Sequence, residues 1–150
     1  MLRWFRDANR VAALGRDHGI SQATAYRYLY EGIDVLAAQA PELHEALAAA
    51  RDEELPYLTL DGTLIPADRL AERGDNGHHL WYSGKHKRFG GNIQVIADPN
   101  GFPRWTSPVE PGSTHDITAA REYCLGALYP AAAAGLPTLA DKGYQGAGIG

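Results

Sequence analysis

Hydrophobic residues follow two different spacings along the chain, and the spacing changes near residue 55. From Val11 to Ala50, apolar residues recur every three or four positions, which predicts amphipathic helices. From Leu55 onward they alternate with polar residues and are interrupted by glycine, proline and asparagine, which predicts strands and turns. We therefore predict an α+β protein, with a helical domain over residues 1–54 and a strand-containing domain over residues 55–150.

Two short helices separated by a tight turn are predicted near the start of the chain. The first covers residues 10–18, Gly19 and Ile20 break the pattern, and Ser21 is a suitable N-cap for a second helix over residues 22–30. This order is typical of a helix-turn-helix, in which the start of the second helix contacts DNA. An αα-hairpin within a helical bundle is the alternative interpretation. The residues that we predict to face DNA are Gln22, Thr24, Tyr26 and Arg27.

The packing of this helical part also has a signal in the sequence. Gly15 and Ala25 are small enough for a close helix crossing, and Ile20 and Tyr28 are predicted to fill the core between the two helices. A linker helix that packs on the next domain is predicted to follow, with Pro41 in its first turn.

The second part of the chain has the predicted order strand, strand, strand, helix, strand. The segment Asp98-Pro99-Asn100-Gly101 predicts a hairpin turn between the second and third strands. A crossover helix then returns the fourth strand parallel to the first. If these strands are neighbours, Asp61 and Asp141 meet at one end of the sheet. The predicted strands cover residues 57–65, 92–97, 102–109 and 136–140, and the helix covers residues 117–134 with Pro130 as its candidate break.

Asp61 and Asp141 are candidate metal ligands. Two neighbouring carboxylates repel each other unless a cation lies between them, and Mg²⁺ or Mn²⁺ favours such hard oxygen ligands. A metal held there would serve phosphodiester chemistry. The alternatives are an Asx-turn acid before Gly62 and an ordinary strand-ending acid at Asp141. Asp116 is predicted to be an N-cap or first-turn acid of the helix, with service as a third metal-binding acid as the second interpretation.

The net charge of −4 is unevenly distributed. Residues 1–30 carry five arginines and two aspartates, which favours a phosphate-facing surface at this end. Lys85, Lys87 and Arg88 form a second basic cluster, which is predicted to contact the DNA backbone or, alternatively, to be a solvated charge run. A single cysteine excludes a disulfide framework, and no apolar run approaches the roughly 18 residues of a membrane helix. We therefore expect a cytoplasmic protein that does not bind a membrane.

Several sequence blocks, taken together, resemble the DDE-superfamily transposases of bacterial insertion sequences, in the group also likened to Harbinger-type endonucleases. The blocks are Leu60-Asp61-Gly62-Thr63, Ser83-Gly84-Lys85-His86-Lys87 with Gly91-Asn92-Ile93-Gln94-Val95, Pro111-Gly112-Ser113-Thr114-His115-Asp116 and Leu139-Ala140-Asp141-Lys142-Gly143-Tyr144. The resemblance implies a helix-turn-helix followed by a ribonuclease H-like domain, with Asp61 and Asp141 as catalytic, metal-binding acids. It further implies DNA as the partner, through transposon terminal repeats and target DNA, with homo-oligomers on DNA in a bacterial nucleoid.

The resemblance also implies a third acid, a glutamate on a later helix. No glutamate follows Glu122, so we expect an incomplete ribonuclease H-like domain whose third ligand lies beyond Gly150, and a fragment that is inactive alone. We also expect the first helix of the DNA-binding domain to be shortened, because little precedes Trp4. The predicted function is that of a transposase that cleaves and joins DNA at insertion-sequence ends. The alternatives are a non-catalytic helix-turn-helix protein with a degenerate nuclease domain, and a ribonuclease H-like nuclease unconnected with transposition.

Overall fold

The helical part of the chain forms four α-helices in the computed structural model, which describes residues 2–75 and 77–148. They are α1 (Leu2–Asp7), α2 (Val11–Asp17), α3 (Gln22–Ala37) and α4 (Leu43–Asp52). Clustering of the contacts divides the chain into two compact units, residues 1–40 and 41–150. Helices α1 to α3 therefore belong to the first unit and α4 belongs to the second.

The turn between α2 and α3 is built as the sequence predicts. Gly19 has a φ of 65°, a conformation that favours glycine. The backbone N–H of Thr24 donates to Ser21 Oγ at 3.1 Å, so Ser21 is the N-cap of α3. A Cβ built on Gly15 would lie 3.3 Å from Cβ of Ala25, which confirms the predicted close crossing.

Helix α3 is longer than predicted, and its core residue is a different one. It continues through Gly32 to Ala37, and Gly32 is buried within it. Tyr28, which we predicted in the core, is 52% exposed, whereas Leu29 is buried with Ala25. Leu29 lies four positions after Ala25 and therefore on the same side of the helix, which explains the difference.

Helix α4 packs within the second unit, as predicted for the linker helix. Leu47 and Ala50 lie in one buried cluster with Leu58 of the sheet, so the boundary predicted between residues 54 and 55 is wrong by one helix. Pro41 also lies before the helix. Glu42 is the N-cap, because its side chain and that of Glu45 form a reciprocal capping box.

A mixed sheet forms the centre of the second unit. Its strands are β1 (Leu58–Pro66), β2 (Tyr82–Ser83), β3 (Arg88–Ala97), β4 (Pro103–Thr106), β5 (Glu110–Pro111) and β6 (Thr138–Ala140). Its strand order is β2-β3-β1-β6, with β4 and β5 also pairing with β3. Strands β1 and β3 are antiparallel, and β6 is parallel to β1, as the predicted crossover requires. The described residues thus form an α+β fold, as predicted.

The crossover consists of two helices, α5 (Asp116–Tyr123) and α6 (Leu125–Ala133). The break lies at Cys124, whereas Pro130 is inside α6, so the break predicted at Pro130 is wrong. Cys124 has a non-helical φ of −136° and is buried. The change of direction there lets α5 and α6 each bury an apolar side in the same core.

The sheet has two unlike faces, which we call the covered face and the exposed face. Leu58, Leu60 and Gly62 of β1 are buried on the covered face, against residues of α5 and α6. The alternate residues Asp61 and Thr63 are exposed and lie on the other face. None of the helices in the described part of the chain has the length and hydrophobicity to cross a bilayer.

Candidate active site

Asp61 and Asp141 occupy equivalent places on two neighbouring strands. Leu60 of β1 is paired with Ala140 of β6 in parallel register, and each aspartate is the next residue along its chain. Neighbouring strands lie about 4.8 Å apart, so the register brings the backbones of the two aspartates side by side. Their roles in binding and catalysis stay a prediction.

The two aspartates also share a face of the sheet. Asp61 lies within β1, is exposed on the exposed face and pairs with Val95 of β3, so the Asx-turn interpretation of Asp61 is wrong. Leu139 is 54% exposed and lies two positions before Asp141. The backbone at Asp141 is extended, with a φ of −74° and a ψ of 178°, so alternation directs its side chain to the exposed face.

Asp141 also begins a short turn of 3-10 helix, Lys142–Tyr144. Its Oδ1 accepts a hydrogen bond from the backbone N–H of Gly143 at 2.8 Å. Asp141 therefore directly follows the strand, as its alternative interpretation states. The hydrogen bond from Gly143 orients its carboxylate at the end of the sheet.

Asp116 approaches the same place from the covered face. It is the first residue of α5, which confirms the predicted first-turn position. Its side chain is 16% exposed and packs on Gly62. Asn92 Nδ2 donates to its Oδ1 at 2.8 Å, and Lys85 Nζ donates to its Oδ2 at 2.8 Å. Each carboxylate oxygen of Asp116 thus accepts one hydrogen bond from a side-chain donor.

Lys85 lies in the electrostatic field of all three acids. The hydrogen bond to Asp116 raises the pKa of Lys85 most, and the charges of Asp116, Asp141 and Asp61 raise it further. The ammonium remains largely exposed, so solvent and salt screen these attractions. The sequence-predicted acids and one sequence-predicted basic residue therefore converge on one region.

A buried polar row, which we define as Tyr144, Gln94, Asn92 and Asp116, lies on the covered face behind the aspartates. Tyr144 Oη donates to Gln94 Oε1 at 2.6 Å, and Gln94 Nε2 donates to Asn92 Oδ1 at 3.1 Å. Asn92 Nδ2 then donates to Asp116. Burial raises the pKa of Tyr144, which keeps its hydroxyl protonated as the first donor of the row.

Sequence reasoning did not find this row. In β3, Ile93 and Val95 alternate with Asn92 and Gln94, and polarity alone predicts that the apolar pair is buried. The structure shows the reverse, since Gln94 is 0% exposed. The available signal was that these residues form one of the blocks that carry the family resemblance.

The other two residues of the predicted basic cluster, Lys87 and Arg88, lie at the end of the turn before β3 and at the start of that strand. Lys87 has a φ of 55° and is exposed, and Arg88 is the exposed first residue of β3. A pocket of about 310 Å³ opens beside them, lined by Lys85, His86 and Asp116 among other residues. These residues offer cationic groups next to the acids, and their contact with DNA stays a prediction.

The predicted DNA-facing residues of the first unit lie on the first two turns of α3. Gln22, Tyr26 and Arg27 are exposed, whereas Thr24 is partly buried and its Oγ1 lies 2.9 Å from Oγ of Ser21. The Thr24 hydroxyl therefore takes part in the cap of α3, and the other three side chains form the accessible surface.

The donors at the candidate site fit part of a divalent-metal site. The carboxylates of Asp61 and Asp141 are hard oxygen ligands of the kind that Mg²⁺ and Mn²⁺ bind. Within residues 2–75 and 77–148, however, no group of three or more His, Cys, Asp or Glu side chains is placed to hold a metal ion. The described residues thus offer a pair of acidic ligands and not a complete set.

A match to a protein-family model places the chain in a class of nucleases. The family model described as DDE superfamily endonuclease matches residues 60–149, which is more than half of the chain and includes Asp61, Asp116 and Asp141. The chain therefore belongs to the DDE superfamily endonuclease family. Membership supports a nuclease-type function and implies DNA as the substrate. No curated protein and no solved structure matches the chain.

Proposed function

We propose that this chain carries two catalytic acids, Asp61 and Asp141, of a metal-dependent transposase that cleaves and joins DNA at insertion-sequence ends. The observation that carries the proposal is the register of β1 and β6, which sets both aspartates side by side in a chain of this family. Bound Mg²⁺ or Mn²⁺ would activate a water or a 3′-hydroxyl as the nucleophile and would stabilise the leaving oxygen. In this proposal Asp61 and Asp141 hold and orient the metal ion, and the third acid is a residue other than these two.

The surrounding residues support a phosphodiester substrate. Lys85 is a largely exposed cation next to the acids, and Lys87 and Arg88 extend the positive surface along the same turn. A phosphate group that approaches the acids would meet these cations, which attract it electrostatically. Residues 41–150 would then correspond to a ribonuclease H-like nuclease domain.

The first unit is proposed to be the DNA-reading module. The geometry that supports it is the Ser21-capped helix after a glycine turn, with Gln22, Tyr26 and Arg27 exposed on its first two turns. In this proposal the module selects terminal repeats, and homo-oligomers assemble on the DNA in a bacterial nucleoid.

Titration of Mn²⁺ followed by electron paramagnetic resonance tests the metal pair. We expect Asp61→Asn and Asp141→Asn each to weaken Mn²⁺ binding by more than tenfold, because each removes one of two adjacent anionic ligands. Asp34→Asn is the matched control, since Asp34 is an exposed aspartate on α3 in the other unit. Mn²⁺ affinity that is equal in the wild type and in both site variants contradicts the proposal.

A second candidate function is a non-catalytic DNA-binding protein with a degenerate nuclease domain. It is favoured by the lack of a three-ligand cluster among the described residues. Fluorescence anisotropy with duplex DNA at several salt concentrations, combined with the Mn²⁺ titration, separates the two. DNA binding that weakens in Arg27→Ala, together with no Mn²⁺ binding at the aspartates, supports the second candidate.

A further inference from the structure

Asp141 is hydrogen-bonded to the turn that follows it, Lys142–Tyr144. One of its carboxylate oxygens accepts from Gly143, and its backbone carbonyl accepts from the N–H of Tyr144 at 3.2 Å. A Cβ built on Gly143 would lie 2.9 Å from Oδ1 of Asp141, so the turn and the carboxylate are closely packed. Any displacement of the turn therefore moves the Asp141 carboxylate.

Tyr144 fixes this turn to the sheet at a specific point. Its ring is 6% exposed within the main core, and its hydroxyl donates to Gln94 of β3. Gln94 is the register partner of Gly62, which is the neighbour of Asp61. A single buried hydrogen bond thus connects the turn that carries Asp141 to the backbone position next to Asp61.

The acceptor role of Gln94 is set by the rest of the polar row. Gln94 Nε2 donates to Asn92 Oδ1, and Asn92 Nδ2 donates to the carboxylate of Asp116 and to the backbone carbonyl of Thr114 at 2.9 Å. An ionised carboxylate only accepts hydrogen bonds, so both amides are oriented with their oxygens toward Tyr144. Lys85, which lies outside the row, donates to the other carboxylate oxygen of Asp116.

We propose that the polar row is a positioning device, in which Tyr144 and Asp116 act through Gln94 and Asn92 to hold Asp141 at a fixed distance from Asp61. This inference rests on the proposed function of the two aspartates. Asp116 is then a positioning residue and not the third metal ligand, because it packs on Gly62 from the covered face, whereas Asp61 lies on the exposed face. Buried, fully bonded networks of this kind fix one arrangement of side chains.

The test compares two tyrosine variants of the full chain. Tyr144→Phe removes only the hydroxyl that reaches Gln94. Tyr129→Phe is the matched control, because the Tyr129 hydroxyl donates to the backbone carbonyl of Ala147 in the same unit but outside the row. We expect Tyr144→Phe to weaken Mn²⁺ binding about three- to tenfold, the effect of one hydrogen bond, and Tyr129→Phe to leave it unchanged. Urea unfolding of both variants measures any shared loss of stability.

A second variant and a spectroscopic readout keep the inference testable if Tyr144→Phe folds poorly. Asp116→Asn should shift the side-chain amide resonances of Gln94 and Asn92 in ¹H–¹⁵N spectra without metal, and should reduce Mn²⁺ affinity no more than Tyr144→Phe does. A loss as large as that of Asp61→Asn identifies Asp116 as a ligand and overturns the inference. Amide resonances that do not respond to Asp116→Asn also overturn it.

The outcomes separate the inference from the proposed function. If the wild type binds Mn²⁺, Asp61→Asn weakens binding by more than tenfold and Tyr144→Phe behaves like Tyr129→Phe, only the positioning role is wrong. If Asp61→Asn and the wild type bind Mn²⁺ equally, the proposed function fails and the positioning role fails with it.

Discussion

Asp116 packs against Gly62 so closely that a Cβ built on this glycine would lie 2.3 Å from Oδ1 of Asp116 and 2.5 Å from its Cγ. Gly62 follows Asp61 in β1 and faces the covered side of the sheet. The absence of a side chain at this position therefore creates the space that the first residue of α5 occupies. Glycine at position 62 is therefore explained by its close packing against Asp116 and not by the conformation of a turn.

Gly62→Ala is expected to destabilise the second unit. The added methyl group overpacks a filled site, which costs about 1–3 kcal/mol in typical cores. Gly126→Ala is the matched control, because Gly126 lies on α6 with open space around its Cβ position, and alanine there should raise helix stability by about 0.5–1 kcal/mol. Urea unfolding measures both. Equal effects of the two substitutions would contradict the close contact with Asp116.

Leu47→Ala should destabilise residues 41–150 and spare the first unit. Leu47 is 2% exposed in the core that includes Leu58, and truncation of such a leucine costs about 2–5 kcal/mol. Hydrogen exchange should accelerate at the amides of β1 and β6. Leu29→Ala, in the core of the first unit, should instead accelerate exchange in α2 and α3. Faster exchange only in α3 after Leu47→Ala would contradict the assignment of α4 to the second unit.

Cys124 should react with a thiol reagent only as the second unit opens. It is 1% exposed, and burial raises the pKa of its thiol to about 11, so little thiolate is present at pH 8. Gly126→Cys provides an exposed reference thiol two residues later on α6. The variant should therefore show one fast and one slow reaction with Ellman's reagent. Two fast reactions under native conditions would contradict the burial of Cys124.

The ion pair of Lys85 and Asp116 predicts a stability difference that disappears at high pH. Contact with Asp116 raises the pKa of Lys85 in the folded chain. Its contribution to stability is therefore fully present below the unfolded pKa of about 10.4 and is lost as the pH rises through the folded value. Because the Lys85 side chain is 61% exposed, we expect less than about 1 kcal/mol.

Urea unfolding of Lys85→Met at pH 7 and at pH 11, at low and high salt, measures this difference. Lys87→Met is the control, since Lys87 is an exposed lysine of the same turn. The difference between the wild type and Lys85→Met should shrink with pH and with salt, and at pH 7 and low salt it should exceed the Lys87→Met difference. A salt-independent loss would point to packing of the lysine stem instead of charge.

The strand pattern predicted much of the arrangement that matters for the candidate site. The alternation around Asp61, the turn at Asp98 to Gly101 and the crossover to β6 are local signals, and each has its counterpart in the observed sheet. The adjacency of Asp61 and Asp141 follows from them, because a right-handed crossover leaves few places for the returning strand.

The buried polar row could not be predicted in the same way. Asn92 and Gln94 are buried because Tyr144 and Asp116, each more than 20 positions away, complete their hydrogen bonds. The residues near β3 in the sequence do not indicate those partners, and a polar residue without a known hydrogen-bond partner is expected at the surface. The break at Cys124 has the same origin, since it depends on how α5 and α6 pack and not on the nearby proline.

Asp61 and Asp141 lie 80 positions apart and become neighbours only when β6 is added beside β1. Closing a segment of this length costs conformational entropy, which the pairing of β6 with β1 and the packing around it must offset. A second unit in which β6 is not paired with β1 therefore does not hold the two carboxylates side by side. The paired anionic charge arises as a product of completed folding, so its presence reports that the whole segment from β1 to β6 has reached its native arrangement.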